Sequence, residues 1–361
     1  MSAPALSTTA PEAPPANPSP STTRKDPYFS NAKLTLIVMV ACGHAWAPLM
    51  DSDAVRAVYL VLYDLHMPAF ILISGYLSRS FTGRPDQLRR LLTGVALPYV
   101  TFSLAYGAMR IYTEGQFDWN LLYPFYLLWF LPALFFWRLT SQIWKVVRWP
   151  VVVAFAISFA ASLTALSPVL DLGRILQFLP FFVIGTQLRR EHFEMLRRPW
   201  IRWSGLAGTA GLVVVAYLFG ADLSPEWVYY NQGFGQLETS MGWILPIRVG
   251  TFLAAGILVV TLLAWMPKRE FRFSALGERT IYAYLLHGFV IKIADEGLDA
   301  YRFEWLHTPA GAVLVTLLAT SLALLLMTAP VSKLFRWVVE PRMPWLFTAQ
   351  SRRRPQETAT A

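Results

Sequence analysis

The chain has a single cysteine and little charge. With Cys42 alone among 361 residues, neither an intramolecular disulfide nor a thiolate metal cluster can form. Beside Gly43 on an apolar run, it reads as a small packing residue. Asp, Glu, Lys and Arg make up only 15% of the sequence, against about 25% in a soluble domain. None of the five histidines stands at HExxH or another ligand spacing, so no metal site is expected. GxSxG, P-loop and GxGxxG motifs are missing too, which leaves hydrolase, ATPase and dinucleotide-binding readings without their signatures. No repeat of fixed period and no appended soluble domain is visible.

Apolar and aromatic residues are abundant: 55% of the chain is hydrophobic, with 14 Trp, 15 Tyr and 24 Phe. Runs of about 20 apolar residues, the length needed to cross a bilayer, fall near 32–50, 57–78, 90–110, 121–140, 150–168, 172–188, 203–220, 243–265, 280–297 and 311–334. The expected fold is therefore an all-α polytopic bundle of about ten transmembrane helices. Basic residues accumulate on the cytoplasmic side of membrane proteins, and they test the count. With the N-terminus inside, only Arg56, Arg110, Arg174, Arg248, Lys292 and Arg302 of the 31 Lys and Arg residues fall toward the outside. Both termini are then cytoplasmic. The +9 net charge faces anionic lipid and calls for no nucleic acid. Residues 1–25 are Ala, Pro, Ser and Thr with almost no large apolar side chain, so a disordered tail is expected there. They lack the apolar core of a signal peptide, so no cleavage is expected. A transmembrane domain over 26–346 and a basic disordered tail over 347–361 complete the division. The longest outer connection, roughly 220–242, is aromatic and Gly-rich. It suits a lid, although Trp and Tyr also gather at any membrane interface.

An ionisable side chain is expensive inside hydrocarbon, and one retained there marks a functional site by default. The first span carries two, Lys33 and His44, eleven residues apart. At 100° per residue they return to within about 20° of each other, roughly 16 Å apart along the axis. Lys33 is then expected at the inner face and His44 deep in the membrane, on one surface. Neutral imidazole is well suited to accept a proton near pH 7, so His44 is a candidate general base. His66, in YDLHMPAFILISGY, is expected at a depth comparable with His44 on the next, antiparallel helix, where the two rings share a cavity. Asp64 lies about 200° around the helix from His66 and is not expected on its face. His287 divides evenly between structure and function, and His192 and His307 fall in connections. Arg84, Arg89 and Arg90 (GRPDQLRRLL) fit either ordinary inner-side charge or a bidentate clamp for phosphate. Ser74 and Gly75 suit close approach of two helices.

Taken together, these stretches resemble the acyltransferase-3 family of integral membrane acyltransferases, especially its branch around fucose 4-O-acetylase. The family signature in the first helix is an Arg, ten residues and a His. Here Lys33 stands in the Arg position and His44 in the His position. HMPAFILISGYLSRSF (66–81), RRLLTGVALPY (89–99), LLWFLPALFFWRL (127–139), LGERTIYAYLLHGFV (276–290) and VVEPRMPWL (338–346) also match in order. The resemblance implies a ten-helix bundle with both ends cytoplasmic, residing in the cell membrane as a multi-pass protein. It also implies transfer of an acyl group, usually acetyl, from cytoplasmic acyl-CoA (acetyl-CoA as co-substrate) to a hydroxyl of a sugar or glycan acceptor. Carried over, His44 is the catalytic base, and Arg89 and Arg90 fall in an Arg-rich loop expected to touch acyl-CoA. Lys offers a point charge where the family has a planar fork.

The mechanism expected from these residues places acyl-CoA phosphates on Arg84, Arg89 and Arg90 with Lys33 beside the donor's path. His44 deprotonates the acceptor hydroxyl, and His66 either orients the acceptor or binds the developing oxyanion. The rival reading is a transporter or exporter of a lipid-linked or small glycan, with intramembrane His and Lys binding substrate or relaying protons.

Overall fold

The structure is a computed structural model that describes residues 26–237, 239–341 and 343–347. The tail over 1–25 and residues 348–361 of the expected C-terminal tail lie outside the described residues. Among the described residues the chain is helical throughout, with one isolated bridge, Phe234 to Leu237, and no strand. It is an all-α polytopic membrane protein.

Twelve helices frame the site. They are α1 (Pro27–Trp46), α2 (Asp53–Leu77), α3 (Pro85–Glu114), α4 (Phe130–Leu139), α5 (Pro150–Ser162) and α6 (Leu172–Gln177). Then follow α7 (Leu179–Gln187), α8 (Pro199–Phe219), α9 (Met241–Trp265), α10 (Thr280–Lys292), α11 (Pro309–Leu326) and α12 (Ala329–Val339). Proline opens several of them, since its missing N–H is one the first turn leaves unbonded anyway. At α1 the Asp26 carboxylate accepts the Tyr28 N–H at 3.0 Å, and at α11 the Thr308 hydroxyl accepts that of Gly311 at 3.2 Å; both caps satisfy orphan donors. A π-turn over Leu92–Ala96 precedes Pro98 in α3. The wider turn accommodates a proline ring that would press on the carbonyl four residues back.

Among the described residues six helices are long and apolar enough to span a bilayer: Pro27–Leu49, Asp53–Leu77, Pro85–Glu114, Pro199–Phe219, Met241–Trp265 and Pro309–Leu326. A seventh span is possible if Val169–Gln177 and Leu179–Gln187, bent by 53°, count as one. The other expected spans coincide with shorter helices: α4, α5 and α10. The connections nevertheless sort alternately to two ends of the bundle. At the end rich in Lys and Arg, Arg79 donates to the Leu188 carbonyl (2.9 Å), Lys145 to that of Phe81 (3.0 Å) and Asn31 to that of Pro267 (2.9 Å). At the opposite end Arg56 donates to the Gly220 carbonyl (2.8 Å), Tyr301 to that of Ala45 (2.9 Å) and the Leu170 N–H to that of Leu122 (2.6 Å).

A close seam joins α2 to α7. A Cβ on Gly75 would overlap the Phe182 carbonyl oxygen, and one on Gly185 would overlap that of Leu72. Backbones in contact maximise dispersion where lipid leaves no hydrophobic driving force between helices. Cys42 lies against α11, its Sγ 3.6 Å from Thr320 Oγ1, a packing position. Gly185→Val inserts carbon into backbone and should destabilise the bundle by about 1–3 kcal/mol. Thermal unfolding in detergent checks this, and an unchanged midpoint would contradict the seam.

Candidate active site

A cavity of about 360 Å³ opens near the end opposite the basic one, between α1, α2, the segment before α4, α6 and the loop before α9. His44 and His66 both line it, with Tyr59, Tyr63, Tyr126, Trp129, Arg174, Val228 and Tyr229. The walls are thus mostly aromatic. Tyr59 and Tyr63, one turn apart on α2, stack at 4.2 Å, and the Tyr59 and Tyr229 hydroxyls share a hydrogen bond of 2.6 Å. Burial raises the pKa of the Tyr229 phenol, so it keeps its proton. Tyr126 takes the left-handed conformation (φ 55°), which turns the chain into α4. Its ring lies 4.7 Å from that of His44 and carries the Lys292 ammonium at 4.9 Å.

Three imidazoles meet at this place. His44 stands in the last turn of α1, nearer the helix end than expected, because α1 gives way to a tight turn over Ala47–Leu49. Its Nδ1 is 3.4 Å from the Tyr63 hydroxyl. His287, left open by the sequence, is fully buried on α10 with its ring 5.4 Å from that of His44. His66 Nδ1 is 2.6 Å from the Leu62 carbonyl and His287 Nδ1 is 2.7 Å from that of Ala283. A carbonyl only accepts, so Nδ1 carries the proton in both rings and Nε2 bears a lone pair. A neutral His66 ring has no second N–H to give. What it offers is an acceptor for a hydroxyl. His287 Nε2 is buried and has no partner among the described residues.

Val228 and Tyr229, in the connection before α9, roof the cavity. Buried Asp64 points away from His66 and accepts the Tyr230 hydroxyl at 3.1 Å. Arg248, fully buried on α9, donates to the Trp227 carbonyl at 2.8 Å and sits 4.6 Å from the centre of the Tyr230 ring. From the cavity side Arg174 donates to the Tyr229 carbonyl at 3.1 Å and pairs with Asp171. Asp64 and Arg248 within the membrane and Arg174 toward its outer side thus hold the roof from both sides. Sequence reading missed all three roles, together with Tyr126. Arg174 and Arg248 signal themselves only as isolated charges in apolar runs.

Lys33 lies at the basic end of α1, 3.4 Å from Glu278 in the segment Ser274–Glu278. That segment leads into α10, so Lys33 meets the start of the stretch whose His287 meets His44. Arg84, Arg89 and Arg90 lie at the basic-end start of α3 and do not line the cavity. Asp86 pairs with Arg84 (3.5 Å) and Arg90 (2.6 Å), while the Arg89 guanidinium lies 5.1 Å from the Phe347 ring centre. Among the described residues no three His, Cys, Asp or Glu side chains are grouped as metal ligands.

Hydrogen bonds to charged groups contribute about 1.5–3 kcal/mol. Arg248→Met should therefore speed amide hydrogen exchange over residues 226–230 by about tenfold or more. Unchanged exchange would mean that the remaining contacts hold the roof alone.

No curated protein and no solved structure matches the chain. The model of one family does, the acyltransferase domain, over residues 26–328. With that match over most of its length, and the polytopic helical fold beneath it, the chain belongs to the acyltransferase-3 family of membrane acyltransferases.

Proposed function

We propose that the protein is an acyl-CoA-dependent O-acyltransferase, with acetyl as the expected acyl group, acting on a hydroxyl of a sugar or glycan, with His44 as general base. The observation that carries the reading is the place of His44. In an acyltransferase chain, an imidazole in the last turn of the first span borders an aromatic-walled cavity at the end away from the basic residues. Aromatic faces suit the C–H face of a sugar ring, and the lone pair on His66 Nε2 suits one of its hydroxyls.

In this mechanism acyl-CoA approaches from the cytoplasmic, basic end, and its phosphates engage Arg84, Arg89 and Arg90. Lys33 exchanges part of its interaction with Glu278 for the donor's negative charge. The acceptor hydroxyl enters from the opposite side. His44 takes its proton as the oxygen attacks the thioester carbonyl, the carbon–sulfur bond breaks, and the CoA thiolate receives that proton from His44. The unpartnered Nε2 of His287 beside His44 stabilises the transient imidazolium. The cell membrane is the setting, and its anionic lipids face the basic end.

Replacing His44 with Ala at retained expression should abolish transfer of label from [14C]acetyl-CoA to carbohydrate; undiminished product would remove the base assignment. Arg89→Ala with Arg90→Ala should weaken acyl-CoA binding by about tenfold or more, given the strength of charge-assisted hydrogen bonds. Unaltered affinity would leave these two residues as topology charges.

A further inference from the structure

We infer that a second cavity beside the catalytic one is a subsite for a neighbouring sugar residue of the acceptor, so that the preferred acceptor is a glycan of two or more residues. The inference rests on the carbohydrate reading above. This cavity measures about 250 Å³ and opens at the same end of the bundle. Tyr123, Ser167, Asp171, Asn231, Gln232 and Gln236 line it.

Its walls are continuous with the catalytic cavity. Pro124 lines both. Asp171 faces the second cavity and Arg174 the first, and their ion pair forms the partition. The chain that roofs the catalytic cavity at Val228 and Tyr229 continues directly into the second as Asn231 and Gln232. Leu170 and Asp171 both adopt left-handed backbone (φ 53° and 55°), a conformation that side chains other than glycine disfavour. That turn sets Asp171 at the partition.

The chemistry of the lining selects the ligand. Carboxamides and a hydroxyl both donate and accept hydrogen bonds, and the one carboxylate is already paired with Arg174. Such a surface offers no net charge for a phosphate or a cation; it matches a neutral ring bearing several hydroxyls. Asn231 Oδ1 has no donor among the described residues, which leaves the carboxamide free to turn this acceptor toward a sugar O–H. The Tyr123 ring, 48% exposed at the rim, offers a stacking face.

The test uses the full chain in lipid nanodiscs on a printed array of monosaccharides and of di- and trisaccharides ending in the same residues. A disaccharide should bind at least about fivefold more strongly than its terminal monosaccharide, the gain of one or two hydrogen bonds. Asn231→Leu, which fills the site without breaking a hydrogen bond of that side chain, should bring the disaccharide to the monosaccharide level and leave the monosaccharide unchanged. Tyr123→Ala, at an exposed rim position, should act in the same direction and carries the test if the first variant fails to fold. Equal binding of mono- and disaccharide, binding of no glycan, or disaccharide preference intact in both variants would overturn the subsite. Label passing from [14C]acetyl-CoA to a monosaccharide as readily as to its disaccharide would overturn the subsite alone. A disaccharide preference without any transfer would instead overturn the acyl-transfer reading.

Discussion

Two hydrogen bonds from imidazole to backbone decide what this site offers to a substrate. His66 and His287 each give the Nδ1 proton to the carbonyl four residues back on their own helix. Each Nδ1 lies against a carbonyl of its own helix, so the helix itself sets the tautomer. Both rings then present lone pairs. Of the three clustered imidazoles, only His44 has its Nδ1 against a hydroxyl that can donate or accept. Its tautomer is therefore the one that the backbone does not set.

Segments too short to span by themselves complete the cavity that α1 and α2 begin, or stand directly behind it. Tyr126 lies in the tight turn ahead of α4, Arg174 on the six-residue α6, and His287 on the thirteen-residue α10. Non-helical backbone at membrane depth is tolerated where it is buried in protein or lines a polar cavity. The broken spans and the polar site are therefore one feature seen twice. The long helices α1 and α2 supply the scaffold. Irregular segments bring in the groups that the scaffold cannot aim, and the roof closes over them through Tyr230 and Trp227.

This division explains what was legible beforehand. Apolar runs and the sorting of basic residues pointed to an all-α polytopic bundle, and six of the expected spans are helices long enough to cross, because hydrophobic length and charge asymmetry are local properties of the chain. The same reading made the spans uniform, since composition does not record where a helix stops within an apolar stretch. Thus 121–140 was read as one span, and its first part is a turn with Tyr126 in left-handed backbone. Within the site, the helical period placed His44 and Lys33 on one surface and turned Asp64 away from His66. His287, Arg174 and Arg248 were not placed, because their partners lie far along the chain: Arg248 meets Trp227 and Arg174 meets Tyr229. Only tertiary packing makes these contacts, and no period in the sequence encodes them.

The arrangement bears on the exporter alternative as well. Alternating access works largely by rocking one group of helices against another around a fixed site. Here α2, which carries His66 and most of the aromatic wall, is fastened along its length. Asp64 ties it to the roof, Gly75 seats it on the backbone of α7, and Ser78 accepts a hydrogen bond from Arg138 at 3.2 Å at the basic end. At the same end Gly277 lies so close to Ser30 of α1 that a Cβ would strike its carbonyl. Seams made of backbone against backbone leave no side chains to repack as helices slide. Rocking α2 would break contacts at both ends of the bundle at once, which counts against the rocking motion that an exporter would need.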